Sequence, residues 1–129
     1  MSDFDLALSP NGKFIHFRPF KASATEPELL RRWSMIAAYG RRHGVYRILF
    51  DHRESPPPEN VDMISAALRN PEWREDETWR VAILGSPAAR DHIQFTLEST
   101  AEFVSAIHQR AAAFFDLAAA EQWLGQDSQ

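Results

Sequence analysis

Apolar and polar residues alternate along Phe4–Leu8 and again along Phe14–Phe20, which is the period of a half-buried strand. In the second run Phe14, His16, Arg18 and Phe20 fall on one face, and Ile15, Phe17 and Pro19 on the other. Ser9-Pro10-Asn11-Gly12 between the two runs is a turn signal, because proline fixes φ and glycine supplies a left-handed position. The pattern predicts a β-hairpin.

The period then changes. Thr25-Glu26-Pro27-Glu28 reads as a helix start, with Thr25 accepting from a backbone N–H three residues on, Glu28 reaching back and proline tolerated in the first turn. Leu29, Trp33, Ile36, Ala37 and Gly40 follow at helical spacing, and Arg41-Arg42-His43-Gly44 is the stop signal. Tyr46–Asp51 is a run of strand formers and the best candidate for a central, buried strand. After the prolines at 56–58, Asn60 caps a helix with Val61, Ile64 and Leu68 on one face, ended by Asn70-Pro71. Trp79–Leu84 is the next strand, closed by Gly85-Ser86-Pro87, with Ser86 as cap and Pro87 opening a helix over about Ala88–Ile107. Its stripe is Ile93, Leu97, Ala101, Val104 and His108. Arg110–Phe115 is a last strand, and Asp116 caps a helix with Leu117, Ala120 and Leu124 on one face, ended by Gly125.

The order β-β-α-β-α-β-α-β-α predicts an α/β domain. It has a mixed sheet of four to five strands, an N-terminal antiparallel hairpin and about four helices. The 129 residues suit one domain with a polar tail at 126–129.

Composition narrows the chemistry. With no cysteine, disulfides, thiolate metal sites and a cysteine nucleophile are excluded, and a cytoplasmic location is expected. Met1–Asp5 carries no signal-peptide pattern, and no apolar run is long enough to span a bilayer. The net charge of −4 argues against nucleic acid as the main partner, since phosphate binding needs a basic footprint. None of the five histidines pair at helical ligand spacing, and the five glycines form no phosphate loop. No metal or cofactor is therefore expected. The acidic run Glu72–Glu77, beside Trp73 and Trp79, reads as a solvated loop.

Three local patterns carry a resemblance. They are Arg47-Ile48-Leu49-Phe50-Asp51, Trp79-Arg80-Val81-Ala82-Ile83-Leu84-Gly85, and Phe114-Phe115-Asp116 leading to Glu121-Gln122-Trp123-Leu124. With the element order, they resemble the SpoIIAA-like family of the STAS and CRAL-TRIO group. That resemblance implies a mixed sheet with helices largely on one side and a role as a regulatory binding module. Some relatives are switched by phosphorylation of a serine after the central strand. The Asp-Ser-Ser-Gly-type signature is absent here, and only Ser55, followed by proline, lies nearby.

Asp51-His52-Arg53-Glu54-Ser55 is the densest polar cluster, at the carboxyl end of the central strand, where open α/β sheets bind ligands. Asp51 offers an acceptor for a hydroxyl or cation, His52 a proton-exchanging group, and Arg53 a grip on a carboxylate or phosphate. Ser86 with Arg90 forms a second candidate, an anion site at a helix start. The bland alternatives are a turn cap at Asp51, solvated neighbours and a plain serine cap at Ser86. No catalytic constellation emerges. The expected role is a non-catalytic interaction module with a protein partner or a second copy. The alternatives are a carrier of a small apolar or lipid-like ligand (Phe95, Phe103, Phe114, Phe115), and an enzyme using Asp51, His52 and Arg53.

Overall fold

A computed structural model describes residues 3–21, 25–55, 78–106 and 110–126. The expected helix at Asn60–Leu68 and the acidic stretch with Trp73 lie outside the described residues. The elements are β1 (Phe4–Leu8), β2 (Ile15–Pro19), α1 (Glu26–His43), β3 (Arg47–Asp51), β4 (Arg80–Leu84), a 3-10 turn (Pro87–Ala89), α2 (Arg90–Ala106), β5 (Arg110–Phe114) and α3 (Leu117–Gly125). The five strands form one mixed sheet in the order β1-β2-β3-β4-β5. β1 and β2 are antiparallel, and the remaining pairs are parallel. The described residues hold three α-helices, one fewer than the sequence predicts.

The hairpin turn forms as its residues dictate. The Ser9 hydroxyl donates to Asn11 Oδ1 at 2.6 Å and accepts from the backbone N–H groups of Lys13 and Phe14. Gly12 takes the left-handed conformation, at φ 70°. In α1, Thr25 accepts from the Glu28 N–H, and Gly44 closes the helix in the left-handed region, its N–H donating to the Gly40 carbonyl. The Glu28 carboxylate meets the buried Arg32 one turn on, which gives that guanidinium a counter-charge.

α1 joins β2 to β3 and α2 joins β4 to β5, each pair being parallel neighbours; such crossovers are right-handed, which places α1 and α2 on one face of the sheet. On the α1 face, Ile36 and Ala37 pack with Ile15, Phe17, Ile48, Trp79 and Val81. On the opposite face α3 sets Ala120 and Leu124 against Phe14, Leu49, Ala82 and Leu84. The sheet's period of two thus feeds two cores. Gly40 is fixed by packing: a Cβ there would stand 2.5 Å from the Trp79 ring and 2.6 Å from the Val45 carbonyl oxygen.

The α2 stripe differs from the sequence expectation. Ala101 is exposed, while Thr96 and Thr100 are buried beside Ile93. Each threonine hydroxyl donates to the carbonyl four residues back, at 3.0 and 2.8 Å, so these polar residues are satisfied inside the helix and can face inward. Among the described residues no helix is long and apolar enough to cross a membrane.

Candidate functional site

β3 ends at Asp51, whose side chain points to the α3 face and is fully buried. Arg53, two residues on, turns back over it. Arg53 Nε donates to Asp51 Oδ1 at 2.9 Å, and a terminal guanidinium nitrogen donates to Oδ2 at 2.8 Å. The Arg53 backbone N–H also donates to Oδ1, at 3.2 Å. His16, on β2, completes the set, with Nε2 at 3.0 Å from Asp51 Oδ2. A carboxylate offers about four acceptor positions, and four donor contacts fill them. Burial by itself would push the Asp51 carboxyl up; the hydrogen bonds from Arg53 and His16 outweigh it and hold the group at about 2. Asp51 is therefore ionised and accepts only, so His16 Nε2 carries the donating proton.

His52 goes the other way. Successive strand residues point to opposite faces, and the His52 ring stacks against Phe50, with centroids 6.1 Å apart, on the α1 side. Its Nδ1 donates to the Ser55 carbonyl at 2.9 Å. Burial pushes its pKa down to about 4, against the opposing pull of the Ser55 carbonyl and Asp51; Arg32 and His92 lower it further. It is neutral near pH 7 and does not exchange protons there. Ser55 is itself buried.

The three candidates Asp51, His52 and Arg53 thus do not face one common site. Asp51 and Arg53 bind each other, and His52 faces the opposite layer. The bland reading of Asp51 as a turn cap holds through its bond to the Arg53 N–H. His52 is half-buried rather than fully solvated. The residue that sequence reading missed is His16. Its alternation showed the correct face, but the parallel β2–β3 register that brings it to Asp51 is a tertiary fact.

His16, 35% exposed at its side chain, lines a shallow cleft of about 410 Å³ between α3 and the hairpin. Arg18, Leu49, Leu117 and Glu121 border it too. Arg18 is committed to Asp5 at 2.9 Å, with Glu54 at 3.9 Å.

The second candidate also separates. Ser86 occupies the cap position ahead of Pro87, yet its side chain makes no capping hydrogen bond, because the helix opens as a 3-10 turn. Arg90 lies with its guanidinium carbon 4.3 Å from the Phe115 ring centre, a cation–π contact that directs it to the residue after β5 rather than to Ser86. Among the described residues no group of three histidines or carboxylates stands close enough to hold a metal ion.

No family model matches the chain, and neither a curated protein nor a solved structure matches it.

Proposed function

We propose that this protein is a non-catalytic interaction module of the SpoIIAA/STAS-like type, which acts by docking a protein partner or a second copy of itself. The observation that carries this reading is the closed knot at the end of β3. Asp51 has its acceptor positions filled by the chain's own donors, which supports a structural rather than a catalytic role for the densest polar cluster. Element order, with the hairpin leading into parallel strands and crossover helices, supports the family reading.

Phe95 marks the docking surface. It lies on α2 and is 60% exposed, the most exposed of the large apolar residues in the described chain. Aromatic side chains of this kind anchor interfaces. The carrier reading has less support, because Phe95 stands in solvent and Phe114 packs against Trp123 at 5.5 Å between ring centres.

The test is a photo-crosslinking amino acid placed at Phe95 and, separately, at the exposed Gln122 on α3. The expected outcome is a saturable protein adduct from position 95 and little from 122. Adduct mass tells a second copy from another protein. No adduct at 95, or equal labelling at the two positions, removes the proposal.

A further inference from the structure

At the other end of the sheet, the amino ends of three neighbouring strands begin with arginine. Arg47, Arg80 and Arg110 stand in register across β3, β4 and β5, on strands about 4.8 Å apart. Register and the strand period put them on the α3 face. Like charges directly opposite each other on paired strands oppose folding, so each needs an offsetting partner.

Two of them have one. Arg47 donates to the Leu124 carbonyl. Arg80 donates to the Trp123 and Gln126 carbonyls at 3.0 and 2.7 Å, and lies 5.4 Å from the Trp123 ring centre. These carbonyls close the carboxyl end of α3, where a helix carries partial negative charge. Arg110 is exposed, and among the described residues its guanidinium meets no hydrogen-bond or ion-pair partner.

The row borders a cleft of about 570 Å³, within the size range of small-molecule sites. Lys13 adds a fourth cation, Tyr46 and Thr78 bring hydroxyls, and no aspartate or glutamate is among its described lining residues. In a chain with a net charge of −4, four cations and no carboxylate among the described residues of one cleft are a local concentration of positive charge.

We propose that this cleft is a binding site for a small, multiply charged oxyanion, with Arg110 and Lys13 as its principal grips and Arg47 and Arg80 as the fixed positive floor. Arginine is suited to this because its planar guanidinium presents paired donors to phosphate or carboxylate oxygens. The proposal is independent of the interaction reading: the Phe95 crosslink and the test below can fail separately.

Calorimetric titration with pyrophosphate, and in parallel with tricarballylate, tests the site. One or both probes are expected to bind, with an affinity that falls steeply between about 50 and 200 mM salt. The tighter probe tells a phosphate ligand from a carboxylate one. Arg110→Gln and Lys13→Gln should each weaken binding by about tenfold. Arg31→Gln, on an exposed position near the far end of α1, should leave it unchanged. Thermal melts of the variants should match the wild type, since the substituted side chains are exposed. Binding by neither probe, or wild-type affinity in Arg110→Gln, overturns the proposal. Tighter binding of a short DNA duplex than of either probe also overturns it, because the site then serves nucleic acid.

Discussion

Asp51 and His52 are adjacent in sequence and opposite in role, and pH separates them. His52 is held at about 4 in the fold against 6.5 for the free side chain. As pH falls, the unfolded chain takes up this proton first, so stability declines from about pH 6.5 to about pH 4. Asp51 is held at about 2 against 3.8. Its contribution is fully present above the unfolded value and is lost as pH falls from 3.8 toward about 2. Each effect is on the order of 2–4 kcal/mol. Urea unfolding across this range should show two limbs. His52→Asn, which keeps a donor for the Ser55 carbonyl, should flatten the upper limb and spare the lower. Asp51→Asn should lower stability at neutral pH by about 2 kcal/mol and flatten the lower limb. An unchanged upper limb in His52→Asn would mean that burial does not hold the imidazole neutral. The sequence made Asp51–Ser55 legible as a polar cluster at a strand end. It did not make His16 legible as a member, because a contact 35 residues apart depends on which strands pair and in what register.

At the scale of elements, α3 is the least self-sufficient part. Nine residues are too few for a stable isolated helix. Asp116 caps its start by accepting from the Ala119 N–H, and Arg47 and Arg80 hold its last carbonyls from the sheet. Arg80→Met keeps much of the side chain's apolar length and removes the donors. It should cost about 1.5–3 kcal/mol, and amide hydrogen exchange in α3 should quicken more than in the β1–β2 hairpin. Uniform quickening across the two would show that Arg80 acts on global stability alone. The helix, its Asp116 cap and its Ala120/Leu124 face were legible from periodicity. The use of strand arginines as its carboxyl cap was not, since Arg47 lies 77 residues from Leu124. The α2 stripe was misread at Thr96 and Thr100 because hydropathy counts a hydroxyl as polar even when its own helix satisfies it.

Across the whole molecule, alternate residues of the same strands serve different cores. Ile48 and Val81 belong to the α1 side, and Leu49 and Ala82 to the α3 side. Neither core can be lost without freeing strands that the other needs, so unfolding should be a single cooperative transition. Methyl NMR signals of Ile36, in one core, and Leu124, in the other, should disappear at the same urea concentration. Earlier loss of Leu124 would reveal an independent α3 layer. The sequence by itself determined the order of the described elements, the hairpin and its turn, the caps at Thr25 and Asp116, and which strand residues share a face. Those features follow from local rules: backbone freedom, period and the reach of a side chain to its own backbone. Only the tertiary structure decided that His16 meets Asp51, that Asp51 and Arg53 close on each other, and that Arg47, Arg80 and Arg110 stand in one row. These depend on strand register, which no local pattern encodes, because pairing is fixed by how two faces of side chains pack against helices far away in the chain.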